Sequence, residues 1–167
     1  MNTQWFDWID RSIKLHFNNT SGIITEQDWT QSSTDIPMFI EGHSKKHDDT
    51  NIDDYFELRI DGPSFDPIAK DQYNVTIEIN CLVTSIMNDD NVYNINETIG
   101  KVLEAFTPIT LYRYGDDNGA FGCMDITSGA GGRLDNLIRI HRFEQIESQT
   151  KVRQASVEYH LETILKG

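Results

Sequence analysis

Apolar and polar residues alternate most regularly between Asn74 and Met87. Val75, Ile77, Ile79, Cys81 and Val83 fall on one face, and Thr76, Glu78, Asn80 and Thr84 on the other. A period of two marks a strand with one buried face. A run this long predicts a strand that crosses the middle of a sheet or projects beyond the domain body. Tyr55–Ile60 alternates in the same way, with Phe56, Leu58 and Ile60 against Glu57 and Arg59. The segment Asp61-Gly62-Pro63-Ser64 then reads as a turn, followed by an irregular Phe65-Asp66-Pro67.

Two segments change period. Trp5, Trp8, Ile9, Ser12, Ile13, His16 and Phe17 recur at three- and four-residue spacing, which predicts an amphipathic helix with Thr3 as N-cap and a stop at Asn18–Gly22. Ile95, Ile99, Val102, Leu103 and Phe106 form a second stripe. Asn94 and Glu97 resemble a capping box at its start, and Pro108 closes it. Shorter strands are expected at Ile23–Trp29, Ile36–Ile40, Ile109–Tyr114, Ala120–Met124, Leu137–Glu144 and Val152–Ile164. Pro37 puts the second of these at a sheet edge or at a strand start. Asp117-Asn118-Gly119 suits a tight turn, and Gln145–Thr150 an antiparallel hairpin connection. The polar stretches Glu41–Asp54 and Asp125–Asn136 contain little to bury and read as long flexible loops. The expected fold is a single α+β domain over residues 1–167: a mixed, mostly antiparallel β-sheet packed against two α-helices, with long polar loops.

Composition narrows the function classes. Hydrophobic residues make up 38% of the chain, too many for a disordered one. No apolar run approaches the roughly 20 residues of a membrane span, and the N-terminal residues lack a signal-peptide pattern, so a protein made and used in a cytosol is expected. The net charge of −13 argues against nucleic acid as the main partner. That charge is uneven. Glu26–Asp66 carries eleven acids against three bases, a balance of −8, whereas Arg133–Arg153 carries five bases against three acids, a balance of +2. Oppositely charged flanks on one subunit suit head-to-tail stacking or ring closure.

The candidate chemistry is thin. His43 and His47, with Asp48, Asp49, Asp53 and Asp54, hold donors suited to zinc. Ser44, Lys45 and Lys46 stand between the histidines with no helical stripe to present both on one face, so no metal is expected. Asp116–Gly119 lacks the calcium-loop spacing, and Ser128–Gly132 lacks the lysine and following helix of a phosphate cradle. Glu78, Glu158, His160 and Glu162 could exchange protons, yet no nucleophile or oxyanion hole accompanies them. Cys81 lies in an apolar strand and Cys123 beside Phe121 and Met124, and both read as free, packed thiols. Neither an enzyme nor a cofactor is expected. The residues expected to make contacts are His43, Lys45, Lys46, His47, Asp48, Asp49, Arg133, Arg139, Arg142 and Arg153.

The order of elements resembles that of the tail terminator (tail completion) proteins of long-tailed bacteriophages and, more loosely, of phage neck components. Four stretches carry the likeness: the helix with Trp5-Phe6-Asp7-Trp8-Ile9-Asp10, the strand Tyr73–Val83, the helix Glu97–Phe106 and the closing strand Gln154–Leu161. The resemblance implies a virion structural protein, assembled in the host cytoplasm. Its subunits would form a ring, hexameric in that family, that caps the tail tube and receives the head–tail connector or neck protein. It implies no membrane partner and no catalytic residue. Other neck, collar or tube-like subunits share the pattern. A small-ligand-binding α+β domain is the alternative from another class, with a closed apolar pocket expected between the sheet and the Ile99–Phe106 helix.

Overall fold

The long alternating run around Cys81 becomes the centre of a six-stranded sheet. The computed structural model describes residues 2–41, 52–86, 94–115, 119–126, 138–143 and 151–167. Within them the chain forms α1 (Trp5–Asn18), β1 (Ile23–Thr25), β2 (Ile36–Ile40), β3 (Asp54–Ala69), β4 (Gln72–Ile86), α2 (Ile95–Glu104), β5 (Ile109–Tyr112), β6 (Ala120–Met124), β7 (Arg139–Arg142) and β8 (Val152–Lys166). The main sheet has the order β1-β2-β3-β4-β8-β7, and β5 and β6 form a separate hairpin. β1, β2 and β3 run parallel to one another and the remaining pairs are antiparallel. The architecture is therefore α+β, with a mixed, mostly antiparallel sheet.

Register explains the core. Phe56, Val83 and Ala155 lie side by side across β3, β4 and β8, as do Leu58, Cys81 and Val157, and then Ile60, Ile79 and Tyr159. Helix α1 buries Trp5, Trp8, Ile9, Ile13 and Phe17 in this core, and α2 adds Ile95, Ile99 and Val102. The β5–β6 hairpin folds over α1 from the β8 side of the sheet. Asp125 and Glu162 exchange both backbone N–H···O bonds there (3.2 and 3.1 Å). Ser12, a polar residue within the apolar stripe of α1, makes this closure: its hydroxyl donates to Trp8 O (2.7 Å) and accepts from the Tyr112 N–H (2.9 Å). At the other end of α1, His16 Nε2 donates to Ala105 O just beyond α2 (2.8 Å), tying the two helix ends together.

Several expectations change here. Asp61–Ser64 does not turn the chain. β3 runs through it as a bulge, in which Asp61 still pairs with Glu78 and Ser64 with Thr76. Phe65 then rejoins the ladder opposite Val75 and stacks on Trp5 (centroids 6.1 Å), so side-chain burial holds the chain in the sheet. Only glycine suits position 62, where φ is +109° and a Cβ would lie 3.2 Å from Thr76 O. The turn comes later, at Lys70-Asp71, with Asp71 in the left-handed region (φ 56°). Pro37 is the second residue of β2 and is not on the sheet edge: β1 flanks it, and pairing with β3 begins only at Met38. Ile23–Trp29 pairs only as far as Thr25, and Ile109–Tyr114 only as far as Tyr112. The α1 N-cap is Gln4 rather than Thr3, and Asn94 caps α2 with no side-chain bond. Glu97 faces Lys101 (3.9 Å) instead of completing a capping box.

Candidate interaction surfaces

The last strand pair places the basic flank. β7 lies at the end of the sheet against β8, with Arg139 opposite Glu158, Ile140 opposite Val157, His141 opposite Ser156 and Arg142 opposite Ala155. All four β7 residues are exposed. Ile138, Ile140 and Phe143 are 40%, 43% and 51% exposed, well above the core strands. Phe143 N–H donates to Gln154 O (3.0 Å), so residues 139, 141 and 143 turn their backbone groups toward β8. The N–H and C=O of Ile140 and Arg142 therefore point away from the sheet. Among the described residues nothing pairs with them.

The basic side chains do not form one cluster. Arg139 and His141 lie on the sheet face away from the helices, and Arg142 lies on the helix face, as the register with buried Ala155 requires. Arg142 Nη2 donates to Asn96 Oδ1 (2.7 Å), which ties β7 to the start of α2. Arg153, opposite Ser85 on β8, is half-buried on the same side. His43, Lys45, Lys46, His47, Asp48, Asp49 and Arg133, also expected to make contacts, lie outside the described residues.

The acidic side chains gather where β2 and β3 begin, beside the start of α2. A groove of about 450 Å³ is lined there by Asp35, Asp53, Asp54 and Glu97, with Lys101 as its cation. Lys101 Nζ donates to Thr34 O (3.1 Å), and Asp54 accepts from the Ser85 hydroxyl. Such a lining attracts cations and repels phosphates. Behind α2, where a ligand-binding domain would hold a closed apolar pocket, Phe106 stacks on Tyr159 with centroids 3.7 Å apart.

On the open face of the sheet, register brings Glu78 beside His160 and Glu162 beside Thr76. His160 Nε2 lies 3.9 Å from Glu78 Oε2, beyond hydrogen-bond distance, and both side chains are over 40% exposed. Glu158 accepts from Asn80 (3.0 Å) and Ser156 (3.1 Å), which holds it as a structural acceptor. Asp53 and Asp54 line the groove, but among the described residues no group of three or more His, Cys, Asp or Glu is placed to hold a metal ion. No helix among them is long and apolar enough to cross a membrane.

The two thiols differ. Cys81 is fully buried, and desolvation pushes its thiol well above the ordinary cysteine range. Cys123, expected to be packed, is exposed, because in the β5–β6 hairpin the alternation buries Met124 opposite Ile109 and turns Cys123 outward. A thiol reagent applied to the native protein is therefore expected to label one cysteine quickly, and both only after denaturation. Rapid labelling of Cys81 would contradict the packing.

No protein-family model matches the chain, and no curated protein matches it. The structure defines the class, an α+β domain with a six-stranded mixed sheet and a separate two-stranded hairpin.

The sequence places Arg139, Arg142 and Arg153 on the last two strands, as found, but does not show that nothing among the described residues pairs with the outer edge of β7. The signal available was the pattern Ile138-Arg139-Ile140-His141-Arg142-Phe143, apolar and basic by turns with no acid in it.

Proposed function

We propose that this chain is an assembly subunit of a virion, of the tail terminator kind, whose copies form a ring that caps a tail tube and joins it to the head connector. One observation carries the reading: the two end strands of one sheet are unlike, β7 bearing Arg139 and Arg142 and β1 running directly into Glu26 and Asp28. Unlike flanks on opposite sides of a rigid sheet favour heterologous contacts, and heterologous contacts close into rings. The scaffold suits the task. β3, β4 and β8 hold 16, 15 and 15 residues and span about 50 Å at roughly 3.3 Å per residue.

Light scattering of the chain alone and with a tail-tube subunit tests this. A ring, six-membered if the likeness holds, that binds tube ends is the expected result. A strict monomer in both conditions would sink the reading. Deleting Lys45–Asp49 is expected to leave the circular dichroism spectrum unchanged and abolish tube capping, because the polar stretch supplies contacts rather than core. Capping that persists at wild-type level would remove that stretch from the interface. A neck or collar position in the same virion would instead show as ring formation without tube binding.

A further inference from the structure

The two edges of the main sheet differ in how many backbone groups they leave unpaired, and what is left on each matches the other. On β1, the hydrogen bonds Ile36 N–H to Gly22 O (2.9 Å) and Glu26 N–H to Met38 O (3.2 Å) show that residues 22, 24 and 26 turn toward β2. Residues 23 and 25 therefore turn outward. Two of their four groups are already taken: Ile23 N–H donates to Thr20 O (3.2 Å), and Thr25 O accepts from Asp28 and Trp29 N–H (3.1 Å each). Ile23 O and Thr25 N–H remain, with no partner among the described residues. Partial self-closure of this kind is a common way to blunt a strand edge. On β7, Ile140 and Arg142 both present N–H and C=O outward, with no partner among the described residues.

We infer that the outer edge of β7 docks on β1 of a second copy of this chain, extending the sheet from subunit to subunit. The inference deepens the ring reading above and rests on it. β1 runs parallel to β3 and β8, and antiparallel to β7. A second copy that continues the sheet with its helices on the same side thus presents β1 antiparallel to β7. A carbonyl at position 23 and an N–H at position 25 form the flanks of a widely spaced antiparallel pair centred on Ile24. On β7 the matching flanks are Ile140 O and Arg142 N–H, centred on His141. Thr25 N–H then donates to Ile140 O of the neighbouring copy, and the neighbour's Arg142 N–H donates to Ile23 O.

That register follows from the leftover backbone groups alone, and it makes a charge pair. Two residues further along, Glu26 falls opposite Arg139. Arg139 has no ion-pair partner among the described residues, while Glu26 is half-buried and held within its own chain. Self-pairing of β7 about a two-fold axis at His141 would instead set Arg139 opposite Phe143 and Arg142 opposite Ile140, and would bring no acid to either arginine. The edge thus selects β1 over itself, and a β7-to-β1 contact uses a different surface on each subunit.

Sedimentation velocity on the full chain tests the contact. The wild type is expected to self-associate beyond a dimer, and Arg139→Glu or Glu26→Arg alone to weaken association by about tenfold or more. Mixing the two single variants is expected to restore it, because each then offers its partner the opposite sign. Ile24→Cys with His141→Cys in a Cys123→Ser background adds a readout independent of charge. A non-hydrogen-bonded antiparallel pair holds its Cα atoms about 4.5 Å apart, within disulfide reach. Oxidation should give a ladder of covalent oligomers on denaturing gels. A wild type that stays monomeric at millimolar concentration, a mixture that fails to recover, or a ladder that stops at the dimer overturns the inference. Loss of tube capping with the ladder intact would discard the terminator reading and leave this interface standing. Capping without the ladder would do the reverse.

Discussion

Phe17→Ala is expected to lower the unfolding free energy by about 3–5 kcal/mol, the range for truncating a fully buried phenylalanine. Phe17 closes α1 with no exposed surface. Its ring lies 6.2 Å from Phe56 on β3 and 6.4 Å from Phe106 beyond α2, so one side chain joins both helices to the sheet. Truncation leaves a cavity at the point where three elements meet, where none of them moves freely to fill it. Leu15, 39% exposed on the same helix, is the control, and Leu15→Ala should cost about 0.5 kcal/mol or less. Urea unfolding decides the matter: the midpoint should drop for Phe17→Ala with little change in slope. A loss below about 1 kcal/mol would mean that α1 does not dock as described.

The second large effect is alkaline. Cys81 and Tyr159 sit on adjacent strands in the core, and burial pushes both their protons to hold far above the ordinary range, with the Cys81 charge adding to the effect on Tyr159. The native state keeps these protons while the unfolded chain releases them near pH 8.5 for cysteine and 10 for tyrosine, by the usual values. Stability from this source is complete below about pH 8 and falls as pH rises through those values, by about 1.4 kcal/mol per unit per group. At pH 11 the loss is about 3 kcal/mol from the cysteine and about 1 from the tyrosine. A Cys81→Ala/Tyr159→Phe double variant should lose this slope. Urea unfolding at pH 8 and pH 11, compared between the two proteins, measures it, and parallel pH dependence would refute the assignment. At neutral pH Tyr159→Phe alone should be neutral or stabilising by about 1 kcal/mol, because the Tyr159 hydroxyl is buried with no hydrogen-bond partner among the described residues.

Both predictions depend on residues whose burial was legible beforehand. Phe17 belongs to the period of α1, and Cys81 to the alternation of β4, and each lands in the core where its spacing put it. The reading failed where two influences competed. Asp61-Gly62-Pro63-Ser64 has the residues of a turn, yet Phe65, packed on Trp5 from the other end of the chain, keeps β3 in the sheet as a bulge. Cys123 lies between apolar neighbours, but pairing with Thr110 sets the face on which each residue of β6 falls, and Cys123 falls outside. The basic flank was legible as a count of charges. That Arg139 and Arg142 would part to opposite faces of one strand was not, because the count says nothing about register.

The sequence by itself determined the two helices, β4 and β8 and which of their residues face inward, because periodicity is a property of neighbours along the chain and hydrophobic burial reads it directly. It also determined the uneven charge. Only the tertiary structure decided the order β1-β2-β3-β4-β8-β7, the folding of β5 and β6 over α1, and the contrast between a partly self-closed β1 and a β7 whose outer groups find no partner among the described residues. The physical reason is that every residue other than proline carries the same backbone donor and acceptor. Which of those groups remain unpaired depends on which distant segments meet, and on that the identity of the side chains is nearly silent.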